Sequence, residues 1–253
     1  MRKPWNREEL IVAFNLYCKT PFTKINSSNK AIKALAPAIG RTASAVALKL
    51  ANFARLDPAL QERNISGMSH GSKEEATIWN EFNGNWEELA YQSEQILAQF
   101  KNETIENTAD IIKEDLPIEG RERETLIKAR VNQSFFRKTI LASYDNRCCI
   151  TGIAISELLI ASHIVPWSVD KKNRMNPCNG LCLNALHDKA FDTGLITITP
   201  DYTVKLSEIL KRKHSVIDSF FTTYESKKII LPQRFMPSMD FIKYHNKFVF
   251  LNH

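Results

Sequence analysis

The part of the sequence that most restricts the possible folds is residues 148–198, where turn residues, short apolar runs and histidines alternate. The apolar run from Leu158 to Ile164 has the length and composition of a β-strand and carries His163 near its end. Pro166 ends that strand, because proline cannot donate a ladder hydrogen bond. The sequence therefore predicts a strand that delivers a histidine to the start of a polar loop.

Beyond that loop, the sequence predicts a second strand and a short helix. Asn179 stands in an Asn-Gly turn, and the apolar run 181–183 follows it. Asn184 is suited to cap a helix over residues 185–192, which carries His187. This order is expected to bring the second histidine back beside the first, in a small polar site that faces a basic loop.

Charge is distributed in three blocks along the chain, whose overall formal charge is +6. Residues 1–60 hold ten basic and three acidic side chains, a net charge of +7. Residues 61–120 hold four basic and thirteen acidic side chains, a net charge of −9. Residues 121–253 hold twenty basic and twelve acidic ones, a net charge of +8. Two basic blocks separated by an acidic one indicate two modules that face nucleic acid, although mixed charge also serves simply to solvate a surface.

The first basic block predicts helices. Asn6 followed by Glu9 is typical of a capping box, and an apolar stripe at helical spacing comes after it. Two further helices are expected on either side of the turn formed by residues 40–42, Gly-Arg-Thr. Two short helices joined by such a turn are typical of a helix-turn-helix unit.

The composition disfavours several classes of protein. No apolar run approaches the roughly twenty residues needed to cross a bilayer, and the first residues lack the apolar centre of a signal peptide. We therefore expect a cytoplasmic protein without membrane contact or organic cofactor. Five cysteines are an odd number, which argues against a disulfide framework. The spacing also disfavours structural zinc, because it is C-C and C-x3-C rather than paired C-x2-C, at Cys148, Cys149, Cys178 and Cys182.

Four spaced blocks within residues 148–198 resemble the HNH nucleases, and most closely the restriction-type branch of that family. The blocks are C-x-[IV]-T-G, A-[SA]-H-I-x-P, N-G-L-x-L and L-H-x-x-F-D-x-G-L, found here at 148–152, 161–166, 179–183 and 186–195. The last block is one residue longer in this chain. The resemblance extends from about Arg121 to the C-terminus. It implies a ββα-metal finger that holds one divalent ion, with Mg2+ or Mn2+ expected, and DNA products that carry a 5′ phosphate.

The resemblance also assigns roles to individual residues. His163 falls on the general base, His187 on the metal ligand of the helix, and Asn179 on the asparagine that pins the loop; these three are the expected catalytic residues. Ser162 stands where many relatives carry a second, acidic or histidine ligand, and a hydroxyl is a weaker ligand for a hard cation. The ion is therefore expected on His187 and Ser162, completed by the phosphate and water.

Two carboxylates, Asp188 and Asp192, lie near the second histidine in the sequence. On a helix, Asp188 and Asp192 point about 100° and 140° away from His187, so neither is expected to share its coordination shell. The missing acidic ligand before the general base leaves an alternative open, in which the chain is a DNA-binding regulator with a degenerate, inactive HNH fold.

The N-terminal helices resemble Myb- or homeodomain-like three-helix folds through Trp5 and the pattern I-x-x-L-A-x-x-I-G-R-T-x-x-A-V. Such folds lay the third helix in the major groove, which makes Arg41 and Lys49 the expected DNA contacts. A three-helix module that binds another protein remains the alternative.

These expectations combine into an α+β protein. We predict a helical helix-turn-helix-like module over residues 1–100, an acidic linker over 101–120, and an HNH endonuclease domain over 121–253. Backbone contacts to DNA are expected from basic residues of the loop and of the helix before the finger: Lys171, Lys172, Arg130 and Arg137. One such site cuts one strand, so double-strand cleavage would require a homodimer.

Overall fold

The computed structural model describes residues 3–63, 71–113, 116–212 and 218–251. It is a mixed, helix-rich fold with two small antiparallel sheets. The chain divides into two compact units, Met1–Thr139 and Ile140–His253. None of the helices in the described part of the chain has the length and apolar character needed to cross a bilayer.

The first unit is built from helices. They are α1 Arg7–Lys19, α2 Lys30–Ala38, α3 Ala43–Ala54, α4 Pro58–Glu62, α5 Lys73–Phe82, α6 Trp86–Lys101, α7 Ile105–Thr108 and most of α8 Arg121–Ser143. The predicted capping box is present at the start of α1, where Asn6 and Glu9 each accept a hydrogen bond from the other's backbone N–H. The Thr42 hydroxyl accepts a hydrogen bond from the backbone of Ala45 and caps α3. Local start signals thus define both helices.

Packing in the first unit centres on α1, which contacts α3, α5 and α6. Phe14 and Tyr17 on its inner face pack against the buried rings of Phe53, Trp79 and Trp86. Burying such rings provides a large part of the hydrophobic stabilisation of a small helical unit.

The segment predicted as a linker, residues 101–120, contains α7 and lies in the first unit. The division between the two units falls inside α8 and not in that segment. The predicted domain boundaries and the observed compact units therefore differ by about one helix.

The second unit holds two antiparallel strand pairs. Strands β1 (Leu159–His163) and β2 (Gly180–Asn184) pair in a register that sets His163 opposite Gly180. Helix α9 follows β2 directly, over Ala185–Asp192 as predicted. The second pair and the remaining helices are β3 Ile196–Ile198, β4 Val204–Leu206, α10 Glu208–Arg212, α11 Asp218–Phe221 and α12 Met239–Phe248.

Helix α12 is held against α9 and β3 by His245. Its ring stacks on Phe191 at a centroid distance of 3.7 Å, Nε2 lies 3.1 Å from the Phe191 carbonyl oxygen, and Nδ1 lies 2.8 Å from the Thr197 hydroxyl. After α12, the backbone N–H of Leu251 donates to the carbonyl of Gly194. The segment that follows α12 therefore packs against the C-terminal end of α9.

Gly194 should tolerate no side chain. Its φ is +73°, and a Cβ there would lie 2.1 Å from the carbonyl oxygen of Val249. We expect Gly194→Ala to lower the free energy of unfolding by about 2–4 kcal/mol, since backbone strain and overpacking add. Gly152→Ala is the matched control, because its φ is +75° but the nearest atom lies at 3.8 Å. Urea denaturation measures both, and equal losses would contradict the packing argument.

Acid should weaken the second unit through His245. Burial lowers the pKa of His245 from 6.5 to about 4. The unfolded chain therefore binds a proton below about pH 6.5 that the folded chain refuses, and stability falls as the pH falls from 7 towards 4. Between pH 7 and pH 5 this residue should account for about 2 kcal/mol. His245→Gln, compared with the parent by urea denaturation at both pH values, should show a smaller loss on acidification; an unchanged loss would show that other groups cause it.

Candidate active site

His163 is the last residue of β1, and its ring turns towards the loop that joins β1 to β2. The ring atom Nε2 lies 2.9 Å from the backbone carbonyl oxygen of Arg174. A carbonyl oxygen only accepts, so Nε2 carries the hydrogen, and Nδ1 of the neutral ring carries the lone pair. Burial is the main reason that the pKa of His163 is lowered. A neutral imidazole with a fixed tautomer is thus present at the strand end at neutral pH.

Asn179 joins the two ends of this loop. Its Oδ1 accepts a hydrogen bond of 2.8 Å from the backbone of Val165, and its Nδ2 donates to the carbonyls of Val165 and Asn173. The backbone carbonyl of Asn179 accepts a hydrogen bond from the backbone N–H of Ile164, the residue after His163. The side chain is 1% exposed, so water does not compete for these bonds. Asn179 therefore positions the loop and is not itself directed at a substrate.

The residue that orients His163 is held in turn by Trp167. The Arg174 guanidinium lies over the Trp167 ring at 4.8 Å, and its Nε donates to the Trp167 carbonyl at 2.8 Å. The Trp167 ring also meets His163 edge to face at 5.5 Å. The Trp167 ring, the Arg174 guanidinium and the Trp167 carbonyl together fix the conformation of the loop beside His163.

Asp188, on the first turn of α9, lies beside Ser162 and His163. Burial raises the pKa of Asp188, while the neighbouring hydroxyl of Ser162 and the ring of His163 act in the opposite direction. Ser162 is 2% exposed, and its Oγ makes no hydrogen bond of normal geometry within the described residues. Asp192, one turn further along α9, has its pKa raised by partial burial and by the charge of Asp188. These side chains form one polar cluster next to the His163 ring.

His187 has a different set of neighbours. It is 2% exposed, its Nε2 lies 3.0 Å from the carbonyl oxygen of Phe220, and its Nδ1 lies 3.1 Å from Oδ1 of Asn184. Its ring packs against those of Phe221 and Tyr224. The prediction that His187 is a metal ligand does not fit this arrangement, because an oxygen atom already faces each ring nitrogen. The helix instead directs the following residue, Asp188, towards His163.

The residues fit a hard divalent ion at Asp188. Within the described ranges, no three His, Cys, Asp or Glu side chains are grouped to hold a metal. Mg2+, however, is commonly held by one or two carboxylates together with substrate phosphate and water. The buried hydroxyl of Ser162, which lacks a hydrogen bond of normal geometry, stands beside the Asp188 carboxylate as a further oxygen donor. The donor set suits Mg2+ or Mn2+ better than a softer metal.

The basic residues predicted to contact DNA lie in both units. Lys171 and Lys172 are exposed in the loop of the second unit. Arg130 and Arg137 are exposed on the part of α8 that belongs to the first unit. All four are accessible to a partner.

Arg41 and Lys49, the DNA contacts predicted for the N-terminal module, are engaged within the first unit. Arg41 pairs with the buried carboxylate of Glu9 at 2.6 Å, and Lys49 pairs with that of Glu75. Lys49 is only 8% exposed. Contact of these two side chains with a DNA groove stays a prediction, and the ion pairs disfavour it because withdrawing Arg41 or Lys49 would weaken the compensation of a buried carboxylate.

Two features of the site were missed by sequence reasoning. The helical angle between Asp188 and His187 predicts that Asp188 lies away from the site, but nothing in the local pattern shows which of the two residues faces His163. Trp167 and Arg174 stand in the loop without a recognisable motif, and only the folded loop brings them to His163. The presence of one aromatic and one basic residue within the loop was the signal that could have indicated this contact.

The model of the HNH endonuclease family matches residues 148–199. The match covers the strand pair, the loop and α9, and it supports an HNH domain with nuclease activity in this part of the chain. No curated protein matches the sequence.

Proposed function

We propose that this chain is a metal-dependent HNH endonuclease of the restriction type, which hydrolyses DNA phosphodiester bonds in a bacterial restriction or defence role. The observation that carries the proposal is the neutral, oriented imidazole of His163 beside the carboxylate of Asp188. A base and an ion-binding carboxylate on adjacent elements are the two groups that hydrolysis of a phosphodiester requires.

His163 acts as the general base. Its Nε2–H is held by the Arg174 carbonyl, so Nδ1 is the atom that takes a proton from the attacking water. Because burial lowers the pKa of His163, the acceptor form dominates at neutral pH. Asn179 keeps this geometry by holding the loop at both ends.

Asp188 and Ser162 hold the divalent ion in this proposal, in place of His187. When bound, the ion supplies positive charge that neutralises the phosphate and stabilises the departing 3′ oxygen. Asp192 stands one turn away and keeps the local potential negative, which favours a cation. His187 is assigned to packing of α9 against residues 220–224.

Binding of DNA rests on exposed cations that contact the phosphate backbone without reading sequence. Lys171 and Lys172 supply this contact from the loop of the site, and Arg130 and Arg137 supply it from α8. The N-terminal helical module determines where the enzyme binds, and double-strand cleavage by this protein requires a homodimer.

His163→Ala should abolish cleavage and leave DNA binding nearly intact. Alanine cannot accept the proton, and loss of a general base costs about 10²–10⁴ in rate. Binding depends on phosphate contacts that this change does not alter. A plasmid nicking time course beside a gel-shift titration tests both statements. A folded variant that cuts within a few-fold of the parent rate would refute the assignment.

Asp188→Asn and His187→Gln should separate the two candidate metal ligands. We expect Asp188→Asn to nick plasmid at least about 100-fold more slowly in Mg2+, since it removes the charged ligand, and to bind Mn2+ more weakly by calorimetry. His187→Gln should lower thermal stability yet keep Mn2+ affinity within a few-fold. EDTA should stop cleavage by the parent. The opposite pattern, with Mn2+ affinity lost only on changing His187, would return the metal to that histidine.

A further inference from the structure

A cleft of about 640 Å³ lies in the first unit, between the N-terminal segment and α3. It is lined by Lys3, Pro4, Trp5, Gly40, Arg41, Thr42, Ser44, Ala45, Leu48, Lys49 and Asn52. The proposed nuclease site does not use it, and it lies entirely within one unit. Its size is that of a small-molecule site.

The wall of the cleft is positively charged. The carboxylate of Glu9 accepts from both Lys3 and Arg41, and that of Glu75 accepts from both Lys49 and Arg55. Of these cations, Lys3, Arg41 and Lys49 line the cleft, and none of the described residues in its lining is acidic. A ligand that carries an anionic group is electrostatically favoured here.

An aromatic ring is also present. The Trp5 ring borders the cleft, with the Arg41 guanidinium 4.7 Å and the Lys49 ammonium 5.1 Å from its centroid. Nucleic-acid bases stack on both aromatic rings and guanidinium planes.

Two polar groups of the lining lack partners within the described residues. The Nε of Arg41 donates to no acceptor, and Oδ1 of Asn52 receives no donor. The Arg41 side chain and the whole of Asn52 are each only 9% exposed. Both atoms are buried in residues that line the cleft, so a small side-chain movement would offer one donor and one acceptor to the mixed edge of a heteroaromatic ring.

We propose that this cleft binds a nucleotide, with the base against Trp5 and the Arg41–Asn52 edge, and the phosphate on the cationic wall. The nucleotide is either free in solution or a single base exposed from a DNA strand, since both present the same ring and phosphate. The inference goes beyond cleavage and does not depend on it. It also gives Arg41 and Lys49 a ligand without requiring either to leave its buried partner.

The exposed face of α3 is better suited to line a ligand-binding cleft than to read base edges in a DNA groove. Its exposed or half-exposed positions are small or apolar, at Ala43, Ser44, Ala45, Ala47, Leu48 and Ala51. A recognition helix needs donors and acceptors that reach base edges, and this face offers only one hydroxyl.

The test uses the full-length protein without divalent metal, so that cleavage plays no part. The probes are the four 2′-deoxynucleoside 5′-monophosphates, followed by isothermal titration calorimetry, and a labelled single strand of about twelve nucleotides, followed by anisotropy. Trp5→Ala should weaken binding of at least one probe by about 5- to 150-fold, the range for loss of one base stack. Trp5→Phe should bind within a few-fold of the parent.

A second variant guards against misfolding of Trp5→Ala. Leu48 is 44% exposed at the cleft, so Leu48→Glu adds a negative charge there without disturbing the core. We expect about tenfold weaker binding, because the new carboxylate repels the phosphate. Ile118→Glu is the matched control, since Ile118 is 94% exposed, lies outside the cleft and receives the same charge.

The pattern of binding decides the source of the nucleotide. Monophosphate binding that depends on Trp5 assigns a free nucleotide; Trp5-dependent binding of the strand alone assigns a base of DNA. The proposal is overturned if neither probe binds saturably, or if folded Trp5→Ala and Leu48→Glu bind both probes as the parent does. Either result leaves the nuclease assignment untouched, since that rests on the second unit.

Discussion

The site in the second unit depends on one buried amide. Asn179 bonds to both ends of the loop between β1 and β2, and the strand register places His163 opposite the next residue, Gly180. These bonds are shielded from water, so they hold geometry that a loop of polar residues would not keep alone. The carbonyl that orients the His163 ring belongs to this loop, and its direction is therefore a result of the amide contacts. The orientation of the ring at the strand end is set by hydrogen bonds made behind it.

Much of the fold was predictable because its signals are local. Capping by Asn6, Thr42 and Asn184 marks three helix starts, and apolar runs bounded by turn residues mark the two strands of the site. The local pattern could not show in which direction each side chain of α9 points. Adjacent residues on a helix point about 100° apart, so whether His187 or Asp188 faces His163 depends on which side of α9 meets β1. That is decided by packing against residues distant in sequence.

The same limit explains the N-terminal module. Arg41 and Lys49 have the sequence context of DNA contacts, but their partners, Glu9 and Glu75, lie 32 and 26 residues away. No pattern within a helix reveals such pairs. Buried ion pairs add little net stability, yet they hold their side chains inside the unit. Part of the positive charge of the first sixty residues is therefore neutralised within the unit. A count of basic residues overstates the number of cations that are available to contact DNA.

The contact between Leu251 and Gly194 has a consequence for biosynthesis. A polypeptide emerges from the ribosome N-terminus first, and units of structure form as their residues become available. The strand pair and α9 are complete once residue 192 has emerged, but the segment that closes over Gly194 follows only after α12. Throughout that interval the nascent chain carries the strand pair and α9 without the segment that packs against Gly194. The order of synthesis thereby delays completion of the second unit until this segment has been translated.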